Sequence, residues 1–182
     1  MRADAQRNYE RLLSAAVGAF TEHGADDVSL EEIARRAGVG IGTLYRHFPT
    51  RQVLLEAVYR DQVEALRVRA DELAASGSSR DALAEWLRAL AAFSATKHNL
   101  TSALLATLGK DSDLVSLCSK VICDAADTLL SRAKQAGAVR ADADARDVIR
   151  LVHAVNIATQ RAPTDPGQAD RLLGLVLDGL RP

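Results

Sequence analysis

The chain has 182 residues, 48% of them hydrophobic, enough to fill the core of one good-sized domain or of a small domain joined to a larger one. Aromatics reach only 4%, prolines number four, and no alternating Val/Ile/Thr runs stand between turn residues, so a β-rich fold is excluded and an all-α protein is expected. The formal net charge of −1 gives no global attraction to nucleic acid, and any such site must come from local placement of charge.

The amino terminus, MRADAQRNYERLL, carries no long apolar run, and no stretch reaches the roughly 18 uncharged apolar residues of a membrane span, so a cytoplasmic protein with no membrane partner is expected. The first helix is predicted from Asp4 to His23, with Leu12, Leu13, Ala16, Val17 and Phe20 as its apolar stripe and Gly24 as its stop. The second starts at Ser29. There S-x-x-E reads as a reciprocal capping box, the hydroxyl taking the Glu32 amide while the Glu32 carboxylate reaches back. Leu30, Ile33, Ala34 and Ala37 give this helix one buried face, and Gly38 ends it within three turns.

A third short helix follows at once. On a 100° wheel Ile41, Leu44, Tyr45 and Phe48 share one side, expected to be core, and Gly42, Thr43, Arg46 and His47 take the other. Two short helices joined by a tight turn match the helix-turn-helix plan, in which the second helix enters the DNA major groove. The exposed residue types suit such contacts, with Arg46 for phosphate or guanine, Thr43 for phosphate or a thymine methyl, His47 for phosphate, and Gly42 for close approach. From Arg35 to Arg51 there are four arginines and His47 and no acid. Periodicity alone leaves open an ordinary helical hairpin with a solvated basic face.

Pro49 breaks the helix and Thr50 caps the next, placing Arg51 in a first turn whose amides and positive dipole end favour an anion. Further helices are predicted over about 50–74, 79–96, 99–108, 112–136, 144–160 and 166–180, the last with Asp165 as cap and Pro166 in its first turn, about nine helices in all. Loops fall at Ser76–Ser79 and at 161–167. By pattern the chain divides into residues 1–48, built of short helices, and 49–182, built of long amphipathic ones. Cys118 and Cys123 lie about 140° apart on a helix, which argues against an internal disulfide and for buried thiols.

The run A-F-T-E-H-G at 19–24, followed by V-S-L-E-E-I-A-R-R-A-G-V-G-I-G-T-L-Y-R-H-F-P-T-R at 28–51, resembles the amino-terminal domain of TetR-family repressors over about the first 60 residues. The segment from Leu104 onward is similar to carboxy-terminal domains frequent among actinobacterial members. The resemblance implies an all-helical homodimer with a three-helix DNA-binding domain (1–48), a larger ligand-binding and dimerisation domain (49–182), and release from a palindromic operator when a small-molecule effector binds. Carried over by position, Ser29, Thr43, Tyr45, His47 and Arg51 contact DNA, with Arg46 as a base reader and Gly42 giving room. Gly40 stands where the family often has Ser or Thr, so one hydroxyl contact is missing.

In the larger part, polar side chains interrupting apolar faces are the candidates for effector contacts: His98, Thr101, Cys118, Thr128, His153, Asn156 and Gln160, with Trp86 and Phe93 as aromatic walls. Each is also readable as an ordinary core or surface residue. The broad apolar faces of the last two helices supply the expected dimer interface, with Leu151, Val152 and Val155 on one and Leu173, Val176 and Leu177 on the other. A twofold dimer would set its reading helices about one DNA turn, roughly 34 Å, apart and read an inverted repeat. No H-E-x-x-H, G-x-S-x-G or phosphate-binding loop occurs, and the four histidines are too scattered for a metal site, so neither an enzyme nor a cofactor is expected. The remaining alternative is a ligand-binding or interaction protein of the same fold without DNA binding.

Overall fold

The computed structural model describes residues 2–25, 27–108, 113–160, 165 and 167–182, with side chains described for 3–25, 27–94, 113–159, 165 and 167–182. The described residues form eight helices and no strand: α1 (Arg2–His23), α2 (Leu30–Ala37), α3 (Ile41–His47), α4 (Arg51–Ala75), α5 (Ser79–Leu108), α6 (Asp113–Gln135), α7 (Ala145–Gln160) and α8 (Gln168–Gly179). The all-α expectation holds. The two helices expected over 79–96 and 99–108 are one, α5, which accounts for eight elements where nine were predicted. Thr96, Lys97 and His98 include neither proline nor glycine, so nothing at the expected break removes an amide donor or loosens the backbone.

Local chemistry sets most helix ends. Thr50 Oγ1 accepts the Val53 amide at 3.2 Å and starts α4. Asp144 Oδ1 accepts the amides of Arg146 (2.9 Å) and Asp147 (3.2 Å) and starts α7. The carboxylate of Asp165 takes the Gly167 amide at 3.2 Å, so it organises the turn before α8, and the helix begins two residues later than predicted. Pro166 and most of the predicted 161–167 loop lie outside the described residues.

The chain divides into two compact units, residues 1–62 with 96–116 and residues 63–95 with 117–182. In the first, α1, α2 and α3 pack on one another around Leu12, Ala16, Phe20, Ile33, Ala37, Leu44 and Phe48, all buried. Leu54, Leu55, Val58 and Tyr59 of α4 are buried in the same unit. Each side chain of this size removed from water contributes about 1.5–3 kcal/mol, so the short helices are held by packing rather than by their own propensity.

In the second unit Trp86 is fully buried and its indole Nε1 donates to the Leu66 carbonyl at 2.9 Å, tying α5 to α4. Leu83, Leu87 and Leu90 of α5, Ile122, Leu129 and Leu130 of α6, and Val148, Val152 and Val155 of α7 complete its core. The Asn156 side-chain amide donates to the Ala91 carbonyl at 3.0 Å, tying α7 to α5. No disulfide joins Cys118, which is buried, to Cys123, which is half-buried, in line with the spacing argument. No helix of the described residues is long and apolar enough to cross a membrane.

Candidate nucleic-acid interface

Residues 29–48 form two short helices joined by a tight turn. Ser29 is extended (φ −81°, ψ 156°) and its Oγ accepts the Glu32 amide at 3.1 Å, the predicted cap of α2. The reciprocal half of the capping box is absent. Instead the Glu32 carboxylate turns forward to Arg35 (2.7 and 2.8 Å) and Arg36 (2.7 Å), because two guanidiniums hold an anion better than one backbone amide. These hydrogen bonds, from Arg35 and then Arg36, lower the Glu32 pKa from 4.5 to about 2. Arg36 also bonds Glu22 at 2.6 Å, fastening α2 to the end of α1.

Gly38 closes α2 in the left-handed region, with φ +64° and ψ +37°. Its amide reaches the Arg35 carbonyl at 3.1 Å while Val39 reaches back to Ala34 at 3.0 Å, the paired bonds of a Schellman turn. A Cβ at Gly38 would lie 2.6 Å from the Arg11 guanidinium, which itself donates to the Gly38 carbonyl at 3.3 Å. Gly40 starts α3 with no side-chain cap, where the family often places Ser or Thr.

On α3 only Leu44 and the following Phe48 are buried. Ile41, placed on the core side by the wheel, is 38% exposed, and Tyr45, at the edge of that side, is 45% exposed. The exposed surface of α3 therefore comprises Ile41, Gly42, Tyr45 and Arg46, with Thr43 half-exposed beside them. His47 moves the other way. It is half-buried, its ring 5.9 Å from Tyr9 of α1 and edge-on to it, and Tyr9 also lies 5.2 Å from Phe48. A wheel ranks side chains by polarity, whereas burial here follows from where α1 lies, and Tyr9 covers the His47 edge.

The four arginines between 35 and 51 are not equivalent. Arg35 and Arg36 are paired with carboxylates. Arg51 is half-buried, donating to the Val28 carbonyl at 2.6 Å and to the Ala25 carbonyl, with its guanidinium 5.9 Å from the Phe20 ring centre. Arg46 is exposed, and among the described residues it has no hydrogen-bond or ion-pair partner. Arg51, expected at a phosphate, thus bonds backbone carbonyls 23 and 26 residues back, a non-local arrangement with no sequence signal.

Comparison with known proteins fits this geometry. A model of the bacterial regulatory proteins of the tetR family matches residues 12–58, and a model of the C-terminal domain of SbtR-like transcriptional regulators matches residues 78–182. The chain belongs to the TetR family of bacterial transcriptional regulators. The solved TetR regulator SCO0520 of Streptomyces coelicolor is 38% identical, with 95% of this chain and 98% of that one aligned at a TM-score of 0.83. A TetR regulatory protein of Mycobacterium vanbaalenii is 34% identical over 100% of this chain and 99% of its own, with a TM-score of 0.79. Among curated relatives, an HTH-type transcriptional regulator of Staphylococcus aureus strain USA300 is 43% identical over 54 residues; that match spans 30% of this chain and 29% of the relative. These assignments place the chain among DNA-binding regulators rather than enzymes.

TetR-family membership directs attention to the larger unit as well, where the predicted residues divide. Trp86 and Phe93 are core residues, and the Trp86 indole donor is spent on Leu66. Cys118 and Asn156 are buried and His153 half-buried, while the side chains of His98, Thr101 and Gln160 lie outside the described residues. Thr128 bonds the carbonyl of Asp124 at 2.9 Å on its own helix. Ser94 was missed: its Oγ is buried with no hydrogen-bond partner among the described residues, nearly one turn along α5 from the carbonyl that Asn156 holds. A serine in an Ala/Leu-rich helix gives no sequence signal for that.

Of the expected interface residues, Val152, Val155 and Leu173 are buried within the chain itself, a correction to their assignment. Of the same set, Leu151 is 49% exposed and Val176 and Leu177 are half-exposed, and two apolar residues outside it are exposed as well, Ile157 (56%) on α7 and Leu175 (68%) on α8. A cleft of about 550 Å³ at Arg80, Glu85, Arg88, Gly174, Leu177 and Asp178 is polar and includes none of the predicted effector residues.

Proposed function

We propose that this chain is a cytoplasmic repressor that binds a palindromic operator as a homodimer and is released by a small-molecule effector, with residues 1–48 reading DNA and 49–182 holding effector and partner. One observation carries the reading. On a helix braced by α1 and α2, Arg46 is exposed beside Gly42, Thr43 and Tyr45 with no partner among the described residues, while the neighbouring arginines are occupied.

In the major groove Arg46 would bond a guanine edge, a contact worth about 1–3 kcal/mol of discrimination between bases. Thr43, the Tyr45 hydroxyl, His47 and the Ser29 hydroxyl would bond phosphates and fix the register. Gly42 leaves the exposed side of α3 open, since a Cβ there meets nothing within 4 Å. Dimerisation through Leu151, Ile157, Leu175, Val176 and Leu177 would bury side chains that otherwise face water. An effector with a hydrogen-bonding group is supported by the buried Ser94 hydroxyl, which has no hydrogen-bond partner among the described residues. No metal or organic cofactor is part of this scheme.

The test is a mobility shift on the DNA upstream of the chain's own or a neighbouring gene, with footprinting to locate the site. An inverted repeat protected at two positions about one helical turn apart is expected, and Arg46→Ala should lose discrimination at one base pair per half-site. A folded protein that shifts no such fragment at low salt would leave the alternative of a regulator fold without DNA binding.

A further inference from the structure

We propose that Arg51 is a positioning residue for the reading helices, a clasp on the loop between α1 and α2, and not a phosphate contact; this rests on the DNA-binding reading above and deepens it. That loop ends at Ser29, the cap on which α2 starts. Ala25 and Val28 are both buried, and among the described residues no backbone amide donates to their carbonyls. Arg51 supplies the donors. Its Nη1 donates to Val28 and its Nη2 to Ala25, so a single planar guanidinium fixes two points of the loop to the first turn of α4. Phe20 of α1 lies 5.9 Å below the guanidinium carbon and limits where it can swing.

The geometry couples three elements through one side chain. Because Ser29 directly follows Val28, the clasp sets where α2 begins, and α2 in turn carries the Schellman turn that aims α3. Two of the five guanidinium donors are committed to the loop, and the half-buried head is oriented by them rather than by DNA. Lysine would keep the charge that a phosphate needs but would exchange the fork for a single point, so the two roles respond differently to the same substitution.

The experiment uses the full chain, its Arg51→Lys and Arg51→Ala variants, and two readouts. Hydrogen exchange without DNA should quicken at the amides of residues 28–32, at least threefold in Arg51→Lys and tenfold or more in Arg51→Ala. DNA affinity should fall in both variants with the slope of log affinity against log salt unchanged. The clasp is overturned if Arg51→Lys binds like the parent while Arg51→Ala binds weakly with a slope reduced by about 0.9 per lost phosphate contact. Unchanged exchange in both variants overturns it equally. Should Arg51→Ala fail to fold, Arg51→Lys carries both measurements. If the parent binds no DNA, the proposed function fails, and the exchange result still decides whether Arg51 holds the loop.

Discussion

Replacing Gly42 by alanine should move stability and DNA affinity in opposite directions. Gly42 is the second residue of α3, is exposed, and has no atom within 4 Å of the position a Cβ would take. Inside the free protein the glycine therefore has no steric reason to be there. Alanine restricts the unfolded chain and favours the helix, a gain of about 0.5 kcal/mol at the low end of the range, because the position lies in the first turn. For a chain of this length that gain raises the melting temperature by roughly 1–2 °C. With operator DNA against this surface, the added methyl sits where backbone or base must come close, and affinity should fall about tenfold, equivalent to 1.4 kcal/mol. Scanning calorimetry and fluorescence anisotropy on a labelled operator read the two quantities separately. Unchanged affinity would refute the reasoning, since the gap above Gly42 would then serve nothing; a lower melting temperature would refute the packing argument.

Gly38→Ala should destabilise by about 1–2 kcal/mol, the cost of a left-handed residue with a Cβ, and displace Arg11, whereas Gly40→Ser, at φ −68° with open space around it, should be neutral or slightly stabilising in the same chemical melt. A comparable loss in both would show that the turn conformation is not the cause. Glu32 carries a depressed pKa, so its ion pairs support the fold above pH 4.5 and are lost as the pH falls toward about 2; Glu32→Gln should melt with a shallower pH dependence across that window, and identical profiles would contradict the pairing. Leu151→Asp combined with Leu175→Asp should give a helical monomer by sedimentation, with operator binding lost; a persistent dimer would place the interface elsewhere.

The elements around the reading site were legible because their ends are written in local chemistry. Ser29, Gly38 and Thr50 each act within four residues, and the structure uses all three as helix ends, although Glu32 does not return the bond of Ser29. Errors arose where partners are distant or where a rule of averages replaced a contact. Tyr9 decides the burial of His47 from another helix. The carbonyls that occupy Arg51 belong to a loop more than twenty residues earlier. In α7 and α8 the apolar faces were found, but hydrophobicity cannot say which side the chain keeps for its own core, and Val152, Val155 and Leu173 proved to be inside.

The pairing of Arg35 and Arg36 with Glu32 and Glu22 bears on how such a protein would search a genome. Association with arbitrary DNA grows with the number of unneutralised cations that displace counterions from phosphates. Here two of the four arginines of the basic run are paired with carboxylates, and the chain as a whole is slightly acidic. Residence on wrong sequences would then be brief, leaving more protein free to sample sites. Discrimination would rest on close fit at a few base edges, and the useful figure of merit is the ratio of specific to random binding rather than the strength of either.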